Sequence, residues 1–323
     1  MPISTRSVVF CSCLAASALF PSQVTQAATL AYYRFEGGSL AELISPVEDA
    51  SGASRPLHPW GPVSRDSGVP VTAVPSTGLA NLASVRFRGD SDLFSPADTG
   101  LSAVCPRHFT VEAWVKFEAL EGVQTIVGRD DNGEGAGRQS LFYLSKGADV
   151  TGPEHTPNAF RVELVTRDNH VVAINSTHAA QVNVWYHLAA VGDAATGVLS
   201  LYVDGRNVGS ATGFTGLFCP TGNGMWTLGR GQFNGRVADR FNGWLDEVRF
   251  SDEALRPDRF LNAAATPPTT AFVRPAPAAA QPAPLPVLSP DPAATAGNGD
   301  RAESTASDDS LSRRPGPLWP AKR

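Results

Sequence analysis

The sequence predicts an all-β protein built around one antiparallel β-sandwich or jelly roll, spanning residues 28–263. Apolar residues alternate with polar ones at a period of two, which is the pattern of strands with a buried face. More than ten such runs follow one another without helices between them, as in sandwiches and jelly rolls. The 30 glycines and 26 prolines among 323 residues supply the turns between those runs and a Pro-rich tail.

The charge balance of the chain excludes one class of partner. The formal net charge is −5, so there is no surplus of cations to neutralise phosphates. We therefore expect no nucleic-acid partner.

Residues 1–27 have the layout of a secretory signal peptide, with a basic start, an apolar stretch and small residues before a cut after Ala27. The apolar stretch, Ser7–Phe20, is shorter than the roughly 20 residues that span a bilayer. Cys11 and Cys13 leave a lipoprotein leader as the alternative, although their sequence context is poor. We expect a secreted or envelope-exterior protein with no transmembrane segment in the mature chain.

The C-terminal segment, residues 264–323, differs in composition from the rest. It is rich in Ala, Pro, Thr and Ser, holds 12 of the 26 prolines, and lacks apolar periodicity. Such a segment cannot bury enough surface to offset the entropy lost on ordering. It is predicted to be a disordered, partly polyproline-II tail.

The run Phe109–Phe117 shows the alternation most fully. Its odd-numbered residues are apolar, and its even-numbered residues are polar apart from Trp114, which is expected to cap the sheet edge or line a groove. Other runs rich in β-branched and aromatic residues, bounded by turn residues, are predicted as strands: Thr29–Phe35, Ser84–Arg88, Gln124–Gly128, Ser140–Ser145, Phe160–Thr166, His170–Asn175, Trp185–Val191, Leu199–Val203, Met225–Leu228 and Trp244–Phe250.

One segment has the composition of a short helix. Asp252–Leu261 is the only such stretch among the predicted strands, and Pro257 limits its length.

Four blocks of sequence occur in the order of a known family. They begin at Phe109 (FTVEAWVK), Trp185 (WYHLAAVGD), Gly197 (GVLSLYVDG) and Phe241 (FNGWLDEVRFSDEAL). In order and spacing they resemble the LamG-like jelly roll of the concanavalin A-like lectin/glucanase superfamily. This resemblance covers about residues 29–262 and implies a concanavalin A-like sandwich.

The resemblance implies several functions, because that superfamily includes lectins, adhesive modules, hydrolases and lyases. We expect a non-catalytic module that binds a glycan or an extracellular protein surface. The alternatives are a polysaccharide-active hydrolase or lyase and a structural or adhesive surface protein.

The residues offer little support for catalysis. Glycosidases of this superfamily need two carboxylates on one strand face. The nearest match is Gly243–Val248, where Asp246 and Glu247 are adjacent and should point to opposite faces. His187 has no catalytic partner in its own segment and is expected to be structural. Trp226 and Trp244 are likewise expected to be packing residues more often than sugar platforms.

Calcium is the expected cofactor if there is one. Asp130, Asp131 and Asn132 lie in a Gly-rich loop between two strands, and hard oxygen ligands in a turn suit Ca²⁺. A solvated hairpin tip is the simpler explanation of the same residues. The resemblance implies a second set, Glu36, Asp90 and Asp246, where the ends of related domains meet.

Cys105 and Cys219 remain after removal of the leader. An even number of cysteines in an exported chain favours a disulfide, worth roughly 4–5 kcal/mol in the chain-entropy model as an upper figure. Two buried single cysteines are the alternative.

Overall fold

The computed structural model describes residues 29–97, 99–131, 140–147, 156–219 and 224–264. All of them belong to one unit, Met1–Thr269. The predicted leader and nearly all of the predicted tail lie outside the described residues, so both stay predictions.

The described chain forms strands joined by turns, with one 3₁₀ turn at Gly100–Ala103 and another at Pro257–Arg259. The second is all that forms of the predicted helix, because Pro257 cannot continue one. The strands are Thr29–Tyr33 (β1), His58–Trp60 (β2), Ser64–Asp66 (β3), Ser84–Arg88 (β4), Asp92–Phe94 (β5), His108–Phe117 (β6), Gln124–Arg129 (β7), Phe142–Lys146 (β8), Ala159–Val165 (β9), Val171–Ala179 (β10), Trp185–Asp193 (β11), Val198–Val203 (β12), Arg206–Thr212 (β13), Trp226–Leu228 (β14), Gly231–Phe233 (β15), Arg236–Ala238 (β16) and Asn242–Ser251 (β17).

Two antiparallel sheets pack face to face, which confirms the predicted sandwich. The first sheet has the order β13-β12-β11-β6-β17-β4-β3, with β1 paired to β17. The second has the order β10-β9-β8-β7-β14-β5-β2. β15 and β16 form a separate hairpin. The Ser140 amide, just before β8, donates to the Gln232 carbonyl of β15, and the Thr125 amide of β7 donates to the carbonyl of Asp239, which follows β16.

Aromatic and aliphatic side chains from the inner faces fill the space between the sheets. The odd-numbered residues of β6 all point into this core, as the alternation predicts. Phe117 packs edge-on against Phe241, which packs in the same way against Phe87.

The outer face of β6 is buried as well, whereas the sequence predicted a single buried face. Val74 and Leu261, from segments outside the sheet, pack on Trp114. The Thr110 hydroxyl donates to the Glu253 carbonyl and accepts from the Leu255 amide. Alternation within β6 could not reveal this cover, because the covering segments are distant in sequence.

A β-bulge interrupts β17 and corrects one expectation. The pairing with β6 shifts register between Asp246 and Arg249, and Glu247 has a φ of 49°. The Glu247 carboxylate accepts a hydrogen bond from Tyr32, which packs with Trp114 on the outer face. Asp246 and Glu247 therefore both lie on the outer side, because the bulge breaks the strict alternation that predicted opposite faces.

Cys105 and Cys219 form the predicted disulfide, with Cα atoms 5.6 Å apart. The bond joins the segment before β6 to the segment before β14, which lie in different sheets. The alternative of two single cysteines is therefore wrong.

Candidate functional site

An open pocket lies on the outer face of the second sheet, beside Trp60. Strand β2 pairs with β5 so that Trp60 lies opposite Asp92. Leu93 points into the core, and its neighbours Asp92 and Phe94 therefore point outward. The Trp60 side chain is 55% exposed, an unusual exposure for an indole.

Paired charges form the base of this pocket. Arg230 makes a two-pronged ion pair with Asp130, at 2.8 and 2.9 Å. Its Nε also lies 3.3 Å from Asp92, which Arg240 contacts at 3.2 Å. Burial raises the pKa of Asp92, although both arginines oppose the shift. Asp130 lies behind Arg230 and does not line the cavity, but the cluster of two carboxylates and two guanidinium groups has no net formal charge.

The remaining walls are apolar. Phe94, Met225 and Val237 complete a cavity of about 310 Å³. The Arg240 guanidinium lies 4.5 Å from the centre of the Trp60 ring. An aromatic surface next to fixed polar groups, with balanced charge, suits a neutral ligand that has an apolar face and hydroxyl groups.

A larger depression, of about 510 Å³, lies around Arg34, Glu36 and Arg65. Its one aromatic residue, Phe35, is buried. This depression offers charge but no exposed ring on which a ligand could stack.

The tryptophans singled out by sequence are packing residues. Trp226 is 3% exposed and Trp244 is 9% exposed. Lys116 and Arg86 lie 4.0 and 4.7 Å from the Trp244 ring centre and cover it. Trp114 is buried rather than lining a groove. Trp60 was missed by sequence reasoning, and its only local signal is the turn-forming Pro-Trp-Gly-Pro context.

His187 has a partner that its own segment does not contain. Its Nε2 lies 2.9 Å from Glu112, which also binds Arg249 and accepts from the Leu261 amide at 2.8 Å. Despite burial, the hydrogen bond from His187 and the charge of Arg249 lower the pKa of Glu112. Glu112 and His187 are almost completely buried, so substrate has no access to this pair.

The first predicted calcium set is only partly described. Both carboxylate oxygens of Asp130 accept from Arg230, and burial raises the pKa of this carboxyl. The Asp131 amide donates to Gln232 Oε1 at 2.8 Å. Asn132 lies outside the described residues. Calcium binding by this loop stays a prediction. Both carboxylate oxygens of Asp130 already accept hydrogen bonds from Arg230, so a calcium ion would have to compete with that arginine.

The second predicted set is only partly brought together. Glu36 and Asp246 are close enough to interact electrostatically. Asp90 is exposed beyond the far end of β4. The pairing of β17 with β4 places Asp246 beside Ser84, the first residue of β4. Arg88, the last residue of β4, is four residues further along, and each residue of a strand adds about 3.3 Å. Asp90 therefore lies roughly 13 Å or more from Asp246.

Asp246 nevertheless has features of a cation ligand. Its side chain is fully buried, its Oδ2 accepts from Asn81 at 2.8 Å, and its Oδ1 lacks a hydrogen-bond partner. Asn81 Oδ1 is also unpartnered and buried. Burial raises the pKa of Asp246 well above its ordinary value. These two unpartnered oxygens are of the kind that Ca²⁺ binds, but Ca²⁺ takes about six to eight oxygen ligands. The described residues hold no group of three or more His, Cys, Asp or Glu side chains arranged for a metal.

A family model described as Laminin_G_3, of the concanavalin A-like lectin/glucanases superfamily, matches residues 89–259. A search of curated proteins found no match. Within the described part of the chain, no helix has the length and hydrophobicity to cross a membrane.

Several solved structures resemble the fold. Domain 4 of AbnA, an extracellular GH43 arabinanase from Geobacillus stearothermophilus solved with arabinotriose, is 19% identical with a TM-score of 0.50, over 72% of this chain and 96% of that one. The binding domain of Paraclostridial Mosquitocidal Protein 1 is 13% identical with a TM-score of 0.49, over 72% of this chain. The binding domain of botulinum neurotoxin serotype D/C is 12% identical with a TM-score of 0.48, again over 72%. The chain spans half the length of each of these two toxin domains.

Proposed function

The chain belongs to the Laminin_G_3 family of the concanavalin A-like lectin/glucanase superfamily, and from that premise we propose that it is a non-catalytic, exported module that binds a neutral glycan beside Trp60. The exposed indole over a charge-balanced pocket carries this proposal. An extracellular protein partner is the other outcome that the experiment below separates.

The pocket supplies the two kinds of contact that a sugar needs. The apolar face of a pyranose or furanose ring stacks on an indole, and its hydroxyls exchange hydrogen bonds with fixed polar groups. Arg240 is a donor at the rim, and Asp92 is an acceptor already positioned by Arg230. Because these charges are paired before a ligand arrives, no uncompensated charge favours an acidic sugar.

The buried carboxylates support a non-catalytic role. Glu112, Asp246 and Glu247 are all fully buried, and Asp92 and Asp130 are bound to arginine. Glycoside hydrolysis needs two carboxyl groups beside the scissile bond. The disulfide supports export, since such bonds persist in oxidising compartments.

The test is a glycan-array screen of the full chain, followed by calorimetric titration with the best glycan. We expect Trp60→Ala to weaken binding at least tenfold, because a stacked aromatic ring is lost. Val171→Ala is the matched control: this side chain is 56% exposed at the opposite edge of the same sheet and should leave affinity unchanged. Equal affinity of Trp60→Ala and the wild type, or silence of the whole array, would overturn the proposal, and silence would favour a protein partner.

We also propose that Asp246 and Asn81 are ligands of a bound Ca²⁺ ion. Their unpartnered buried oxygens support this assignment, and backbone carbonyls or water would complete the coordination. Repeating the array with a chelator separates a calcium that supports glycan binding from one that only stabilises the fold.

A further inference from the structure

The side chain of Arg129, at the end of β7, is buried without an anionic partner. It is 1% exposed, and among the described residues no carboxylate forms an ion pair with it. Its Nη1 and Nη2 donate to the carbonyls of Val104 and Ser102, at 3.3 and 2.9 Å, and its Nε has no partner. Burial lowers the pKa of Arg129 to about 10. The guanidinium carbon also lies 5.2 Å from the centre of the Trp226 ring, so two carbonyls and an aromatic face, rather than a carboxylate, offset the cost of burying this charge.

A sulfur of the disulfide, which can become an anion, lies against this guanidinium. Arg129 Nη2 lies 3.4 Å from Cys105 Sγ. That sulfur is neutral while it is bonded to Cys219, and it becomes a thiolate when the bond is reduced. A cation beside a cysteine lowers the thiol pKa from about 8.5 into the range of roughly 3.5–7.5.

The two sulfurs differ in their surroundings. Cys219 is exposed to solvent, whereas Cys105 is half-buried beside the guanidinium. An external thiolate therefore reaches Cys219 more readily. The better leaving group is the cysteine with the lower pKa, which here is Cys105.

We propose that Cys105–Cys219 is a redox-responsive disulfide and that Cys105 is its modifiable thiol, held as a thiolate by Arg129. The co-reactant is a dithiol. One of its thiolates attacks Cys219 Sγ, the Cys105–Cys219 bond breaks, and its electron pair stays on Cys105. The second thiolate of the dithiol then attacks the mixed disulfide, which yields an oxidised dithiol and releases Cys219 as a thiolate that takes a proton from water. Two electrons pass from the dithiol to the protein.

Stabilising the thiolate favours the reduced state, since the oxidised state gains no charge interaction with Arg129. Cys105 is then open to alkylation and oxidation at neutral pH, because the thiolate is the reactive form. This role is independent of glycan binding.

The test compares single-thiol variants of the full chain. In Cys219→Ser, the pH dependence of iodoacetamide labelling and of ultraviolet thiolate absorbance should give Cys105 a pKa below about 7.5. In Cys105→Ser, the exposed Cys219 should titrate near the ordinary value of about 8.5. Adding Arg129→Met to Cys219→Ser should return Cys105 to that value or above, while Arg129→Lys should keep it depressed.

A second measurement uses the intact disulfide in glutathione redox buffers. Arg129→Met should make the bond harder to reduce, by about tenfold in the equilibrium constant for each unit by which the Cys105 pKa rises. A Cys105 pKa at or above that of Cys219 would overturn the proposal even if Arg129→Met failed to fold. An unchanged reduction equilibrium in a folded Arg129→Met protein would overturn it as well.

Discussion

Removing the carboxylate of Glu112 should destabilise the sandwich severely. This side chain is fully buried and joins three groups: His187 on β11, Arg249 on β17 and the backbone amide of Leu261. Glu112→Ala removes this acceptor from all three, and Arg249 keeps its hydrogen bond to the Arg259 carbonyl. The Leu261 amide and His187 are both buried, so water cannot replace the carboxylate.

The magnitude follows from the contacts. Breaking a buried ion pair by deleting one partner typically costs about 3–5 kcal/mol, because an uncompensated charge remains. An orphaned buried donor alone costs roughly 1–3 kcal/mol. We expect Glu112→Ala to lose about 3–5 kcal/mol, and Glu112→Gln to lose less, because the amide oxygen can still accept from Leu261.

Urea unfolding of the full chain, followed by tryptophan fluorescence, measures these losses. Glu118→Ala is the matched control, since Glu118 follows the same strand and pairs with Arg86 at the surface. Exposed pairs are worth about 0–1 kcal/mol. A loss from Glu112→Ala no larger than that from Glu118→Ala would refute the argument that burial makes this network essential.

The same carboxylate contributes to acid unfolding. The pKa of Glu112 is lowered in the folded state by His187 and Arg249. Its charged form therefore contributes stability above the unfolded value of about 4.3, and this contribution is lost as the pH falls through the lower folded value. Over that acidic interval, the stability of Glu112→Gln should fall less steeply than that of the wild type.

Two further expectations concern a cation and the core. Burial raises the pKa of Asp246, so its charged form opposes folding as pH rises above the unfolded value of about 3.9. At pH 8 in the presence of a chelator, Asp246→Asn should therefore have a higher Tm than the wild type. Added Ca²⁺ should raise the Tm of the wild type but not that of Asp246→Asn. A Ca²⁺ response that persists in Asp246→Asn would exclude this residue as a ligand. In Gly192→Ala, the new Cβ would lie 2.3 Å from the ring of Phe109, and such overpacking costs about 1–3 kcal/mol in urea unfolding. Gly37→Ala is the control, because no atom lies within 4 Å of its new Cβ; equal stabilities would contradict the packing argument.

The long strands were predictable because each one carries several alternations. Strand β6 begins one residue before its predicted start, and β4 has its predicted bounds. Strands β2, β3 and β5 have three residues each, too few to display a period of two. Their conformation depends on pairing with neighbours that are distant in sequence, and Trp60 is part of such a strand. The pocket beside Trp60 was therefore outside the reach of sequence patterns.

The bulge shows a second limit. Alternation predicted opposite faces for Asp246 and Glu247, yet a single residue with a positive φ turns both outward. The cluster that results with Glu36, Tyr32 and Arg34 is a property of the folded chain. No local composition marks Glu247 as the bulged residue, because it is neither Gly nor Asn.

The outer faces of the two sheets differ in a way that bears on function. Both carry buried ion networks, centred on Glu112 in the first sheet and on Arg230 in the second. In the first sheet, Val74 and Leu261 close over the network and exclude solvent. In the second, the network ends at an open cavity beside an exposed indole. Of these two networks, as far as the described residues show, the one centred on Arg230 is the one that borders a cavity. The second sheet is therefore the face on which ligand binding should be sought first.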